Sequence, residues 1–236
     1  MTEILNPFVD VAAARRDYRD FGWARITDIL SNPFAEKVIQ NIVKNVEFKN
    51  TFMLGEERLG FSDNELANLT GEKRQALFSQ INKQASEGKG FVYGQVPLAA
   101  DTLSDTHQAL KTLLQWINEE DTVDMFKDIT GLSQMAFAKC QVARFSQGQF
   151  LLKNTLKAEN KNSQLGFILD LTPDWDTDWG GLLQLHSTND MPASAFTPQF
   201  NSMIIFNASS AYSVTYLAPF IKYYKYCVMG EFVSVD

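Results

Sequence analysis

The chain has 236 residues, 45% of them hydrophobic, which suits a single globular domain with its own core. Lys and Arg total 21 against 28 Asp and Glu, and the net charge of −7 argues against a nucleic-acid groove or docking on anionic lipid. Met1 to Asp10 lacks a basic stretch followed by an apolar one, and no apolar run nears the ~20 residues of a membrane span, so neither a signal peptide nor a spanning helix is expected.

In chain order, Val9 to Phe21 carries apolar positions at helical spacing and stops at Gly22. Trp23 to Ile29 reads as a short strand. Ser31-Asn32-Pro33 then caps a helix reaching about Val46. Thr70-Gly71-Glu72-Lys73 opens another helix to about Ser86. Asp105 to Asn118 sets Leu110, Leu113, Leu114 and Ile117 on one stripe, and Thr122 to Thr130 stops at Gly131. The first half is therefore expected to be mainly helical.

After Gly131 the pattern changes. Phe137–Phe145, Phe150–Leu152, Leu165–Leu171, Gly181–His186, Ser202–Phe206, Tyr212–Leu217 and Tyr226–Val235 read as short strands. Turn residues such as Ser146-Gln147-Gly148, Thr172-Pro173-Asp174 and Asn189-Asp190 separate them. Leu165, Phe167, Leu169 and Leu171 alternate onto one face, as a half-buried strand requires. Many short strands with regular turns imply a sandwich or jelly roll, and the helices make the whole an α+β protein. No linker divides it, so one domain over 1–236 is expected, with a helical part at 1–131 and a jelly-roll core at 132–236. The 18 Phe fit a large core. Cys140 and Cys227 stand in no metal-ligand spacing, and reduced, buried thiols in a cytoplasmic protein are expected.

Gly148-Gln149-Phe150-Leu151, the run Asp178-Trp179-Gly180-Gly181-Leu182-Leu183-Gln184, the segment Phe196-Thr197-Pro198-Gln199-Phe200-Asn201 and the closing Ala218-Pro219-Phe220 occur in a familiar order. Together they resemble the prolyl-hydroxylase-like 2-oxoglutarate/iron(II) oxygenases. The resemblance implies a double-stranded β-helix (jelly roll, cupin-like) with N-terminal buttressing helices and a pocket at one barrel mouth. It also implies iron(II) held by a His-x-Asp pair and a later His, and a basic residue that anchors 2-oxoglutarate. Two imidazoles and one carboxylate would leave open positions on the metal.

Carried over residue by residue, the resemblance places the His-x-Asp slot on Asn154-Thr155-Leu156 and the second His slot on Tyr212. An amide oxygen, an aliphatic side chain and a phenol with a reference pKa near 10 make a poor ferrous site. The chain has only two histidines, His107 and His186, outside the family's positions. No metal ligand is therefore assigned, and neither iron nor 2-oxoglutarate is expected as a cofactor. Lys225 falls on the anchor slot, where lysine pairs with a carboxylate without the bidentate grip of arginine; a solvated lysine is the other reading. Arg144 matches a family arginine and is expected near the pocket beside Phe145. Asp170 replaces an expected Asn, either as a carboxylate near the mouth or as a turn cap before Thr172-Pro173.

The expected ligand pocket is thus Asn154, Leu156, Tyr212, Lys225, Arg144 and Phe145. Three functions fit. One is a pseudo-oxygenase that binds a small molecule in the barrel mouth or a protein partner, such as a related oxygenase. Another is a metal-independent isomerase, cyclase or lyase, with Tyr212, Lys225 and Asp170 as candidate catalytic groups. The last is an oxygenase with a metal site relocated to His186 and carboxylates such as Glu159 or Asp190.

Overall fold

The computed structural model describes residues 4–187 and 192–235; Asn189-Asp190 lie outside the described residues. Helix α1 (Val11–Phe21) begins where the Asp10 side chain accepts from Ala13 N at 2.8 Å and ends at Gly22. Strand β1 (Trp23–Ile26) leads to α2 (Asn32–Asn45), with proline in its first turn. Next come the hairpin β2 (Lys49–Leu54) and β3 (Glu57–Ser62), the short α3 (Asp63–Ala67), α4 (Gly71–Ser86) and β4 (Phe91–Leu98). Helices α5 (Gln108–Ile117) and α6 (Glu120–Thr130) close the first half.

The second half supplies β5 (Phe137–Phe145), β6 (Phe150–Asn154), the single turn α7 (Leu156–Glu159), β7 (Ser163–Asp170), β8 (Leu183–His186), β9 (Pro192–Phe196), β10 (Ser202–Asn207), β11 (Ala211–Val214) and β12 (Lys225–Val233). The strands form one antiparallel sheet in the order β1-β10-β7-β12-β5-β4-β6-β11-β8-β9, with β2 on β4 and β3 on β2. This sheet curls until its end strands meet. Trp23 of β1 packs edge-on against Phe196 of β9 at 4.7 Å, and Arg25 donates to the Thr197 carbonyl at 2.8 Å. The result is the double-stranded β-helix with buttressing helices that the sequence predicts.

Strand alternation sorts side chains between the two faces. On β7, Leu165, Phe167 and Leu169 turn outward and join α1, α2, α5 and α6 in the larger core, while Ile168 turns into the barrel. Each fully buried Leu, Ile or Phe in these layers contributes roughly 1.5–3 kcal/mol. Helix α4 covers a smaller cluster of Ile81, Phe52, Val92 and Phe150 on the opposite wall. Among the described residues no helix is long and apolar enough to cross a membrane. The first half has the expected strand at β1 but differs from its helical expectation by three more, β2, β3 and β4, and β4 sits between β5 and β6 inside the barrel wall.

Candidate functional site

A cavity of about 220 Å³ opens at one end of the barrel. Asn154, Leu156 and Tyr212 all line it. Antiparallel pairing sets Tyr212 of β11 opposite Asn154 of β6, and Leu156 follows at the start of α7. The structure therefore brings together the three positions to which the resemblance assigned the metal ligands.

Their chemistry does not suit a ferrous ion. The Asn154 amide is already committed: Oδ1 accepts from Thr155 N at 2.8 Å and Nδ2 donates to Glu159 Oε1. Leu156 offers no donor atom and packs toward Phe206 and Gly166. Burial pushes the Tyr212 phenol well above its ordinary value, with smaller contributions from Tyr93, Glu159 and Glu231, so the hydroxyl stays protonated at neutral pH. Among the described residues no group of three His, Cys, Asp or Glu side chains is placed to hold a metal. His186 lies on the outer side of β8, with Nε2 2.8 Å from Ser213 Oγ, whereas Glu159 lines the inner cavity. His107 is held by Ser104 and by the Asn45 carbonyl. Asp190 lies outside the described residues.

Lys225, Asp170 and Phe145 form a second group, deeper in the barrel. Lys225 faces Phe145 across β12 and β5, and its ammonium lies 5.8 Å from that ring. Its Nζ donates to the Gly181 carbonyl at 2.9 Å and stands 3.4 Å from Asp170 Oδ1. Lys225 is 0% exposed and Asp170 1%. Burial holds the Asp170 carboxyl above the usual carboxylate range, and the opposing pull of Lys225, then Arg25, does not reverse it. Of the alternatives left open by the sequence, the lysine is thus not solvated and the aspartate faces it. The inward positions of β12 run from Lys225 through Cys227 to Met229, which lines the cavity. Four residues of strand separate Lys225 from Met229 by about 13 Å.

Arg144 is placed differently from its expectation. It precedes inward-facing Phe145, so alternation turns it to the outer wall. There it pairs with both carboxylate oxygens of Asp63, at 2.7 and 3.0 Å, and lies over Phe48 and Tyr224. Sequence reasoning missed Tyr93, Gln141, Arg58, Lys139 and Glu231, which line the cavity. The signal for Tyr93 was the Phe91-Val92-Tyr93 run, a strand pattern inside a half read as helical.

Residues 140–232 match the family model described as the 2OG-Fe(II) oxygenase superfamily. Among curated proteins none matches this chain in sequence. A 2OG-Fe(II) oxygenase-family oxidoreductase from Burkholderia pseudomallei is similar in structure, with TM-score 0.65 and 12% identity, over 100% of this chain and 97% of that one. A Pseudomonas putida prolyl-4-hydroxylase gives TM-score 0.60 and 12% identity, over 96% of this chain and 100% of that one. A Trichoplax adhaerens prolyl hydroxylase, solved with a hypoxia inducible factor peptide fragment, gives TM-score 0.66 and 14% identity, over 95% of this chain and 89% of that one. The chain thus has the fold of the prolyl-hydroxylase-like 2-oxoglutarate/iron(II) oxygenases, and its residues 140–232 carry the sequence pattern of that superfamily.

Proposed function

We propose that this chain is a pseudo-oxygenase, which has kept the barrel and its mouth as a small-molecule binding site and has given up iron. The observation that carries the reading is the donor set at the mouth: an engaged amide, an aliphatic side chain and a buried neutral phenol at the former ligand positions. The anchor supports it as well. A 2-oxoglutarate carboxylate reaching Lys225 would compete with Asp170 and the Gly181 carbonyl, and would have to be desolvated in a site that already contains a carboxylate. The free thiols Cys140 and Cys227 fit a reducing, cytoplasmic setting.

Anaerobic titration of the purified protein with iron(II), followed by assay of succinate release from 2-oxoglutarate, tests the proposal. No saturable one-to-one iron site and no succinate above the no-protein rate is the expected result. The variant Asn154→His/Leu156→Asp/Tyr212→His serves as the positive control and should gain a cobalt(II) absorption band. A tight iron site in the unmodified protein, or stoichiometric succinate, would overturn the reading.

A further inference from the structure

The cavity at the barrel mouth has a polar character of its own. Tyr93 and Tyr212 both line it, and they are 5% and 6% exposed. Tyr93 Oη accepts from Gln141 Nε2 at 3.0 Å, which leaves its own proton to donate. The Tyr212 hydroxyl has no hydrogen-bond partner among the described residues. Burial pushes Tyr93 up to about 12 and Tyr212 in the same direction, so both remain neutral O–H groups near pH 7.

The charged groups around them are balanced and largely engaged. Arg58 and Lys139 oppose Glu159 and Glu231. Glu231 accepts from Asn160 and Ser163, Glu159 from Asn154, and Arg58 donates to Gln95. The two cations and two carboxylates on this wall cancel, so it favours neither sign of charge, whereas a neutral ligand meets two hydroxyl donors beside Leu151, Leu156, Phe206 and Met229. At ~30 Å³ per water, a cavity of about 220 Å³ has room for roughly seven waters, hence for a compact molecule. A hydroxyl with no protein partner that opens into a cavity is free to donate to an acceptor bound there.

We propose that the cavity binds a compact, uncharged carbonyl compound, whose oxygen accepts from the Tyr212 hydroxyl, with Tyr93 held by Gln141 as a second donor. The proposal rests on the reading that this mouth holds a ligand in place of iron, and it names the class of that ligand.

Four probes of similar skeleton test it on the metal-free protein: acetophenone, 1-phenylethanol, ethylbenzene and benzoate. Binding is followed by ligand-observed NMR, and the acetophenone carbonyl stretch by infrared difference spectroscopy. Acetophenone should bind tightest, with its carbonyl stretch below the value in hexane. Tyr212→Phe should weaken acetophenone roughly tenfold and move the stretch back upward, while ethylbenzene binding stays unchanged and so reports an intact cavity. Tyr93→Phe should give a smaller loss. Equal or tighter binding of benzoate, 1-phenylethanol or ethylbenzene would overturn the proposal. So would an unchanged acetophenone affinity in Tyr212→Phe, or no binding of any probe. None of these outcomes bears on iron, whose binding alone decides the pseudo-oxygenase reading.

Discussion

Lys225 and Asp170 are buried at 0% and 1% exposure, so each depends on the other for compensation. Removing one partner leaves a charge in a dry barrel. Replacing both with apolar groups removes the desolvation cost of the pair along with its attraction. Lys225→Met alone should therefore cost about 3–5 kcal/mol, and Lys225→Met/Asp170→Leu far less than the sum of the two single changes. Urea unfolding of all four proteins measures this coupling, and additive losses would show that the two groups act independently. The pH response distinguishes this carboxylate from Asp63. Burial raises Asp170, so the folded state binds its proton more tightly than the unfolded chain. Its contribution to stability therefore falls as pH rises from the ordinary value, 3.8, through the raised one. The hydrogen bond from Arg144 lowers Asp63, whose contribution is present above 3.8 and is lost as pH falls through the lowered value. Melting temperatures across the acid range should show wild type minus Asp170→Asn and wild type minus Asp63→Asn with opposite slopes. At this scale the sequence was informative about Asn154, Leu156 and Tyr212, which the resemblance placed by the motifs beside them and which the fold brings to one cavity. It could not pair Lys225 with Asp170, whose strands meet only through the fold.

The turn before β8 depends on two adjacent glycines, Gly180 at φ 75° and Gly181 at φ 69°. A methyl group at Gly180 would lie 2.1 Å from the Tyr216 carbonyl oxygen, so the turn requires both the left-handed conformation and the missing side chain. Gly131, the stop of α6, has φ 74° but open space around it. Gly180→Ala should cost about 2–5 kcal/mol, left-handed strain plus overpacking, against about 1–2 kcal/mol for Gly131→Ala. Equal losses in urea unfolding would mean that the Tyr216 segment moves aside without cost. The Asp-Trp-Gly-Gly run was legible because its chemistry is local. The helices were legible for the same reason: Gly22 and Gly131 stop them and single stripes face the sheet. Strands β2 and β3 were not, since the hairpin's Glu56, Glu57 and Arg58 interrupt any alternation and its far strand is half exposed. Strand β4 was hidden among helices, although Val92 and Tyr93 alternate between the two cores.

At the level of the whole molecule, the expected boundary near residue 131 does not separate helix from sheet. Strand β1 pairs with β10 nearly two hundred residues later, and β4 joins β5 to β6. Pairing at such separations depends on loop closure and burial, which no local pattern encodes. It also means that neither half can complete its hydrogen bonds alone: without β4 the wall between β5 and β6 is open, and without β1 the edge of β10 is bare. Helices α1, α2, α5 and α6 likewise bury their apolar stripes in one core that they share with strands of both halves, β1 and β4 as well as β5, β7, β10 and β12. Residues 1–236 should therefore unfold as one cooperative unit. Tryptophan fluorescence samples β1 through Trp23, α5 through Trp116 and the turn before β8 through Trp175 and Trp179, while far-UV circular dichroism samples the backbone as a whole. The two signals should trace a single coincident urea transition, and a chain truncated to 132–236 should lack cooperative unfolding altogether. Two resolved transitions, or a soluble, folded 132–236 fragment, would show instead that the jelly roll forms its barrel without the N-terminal strands.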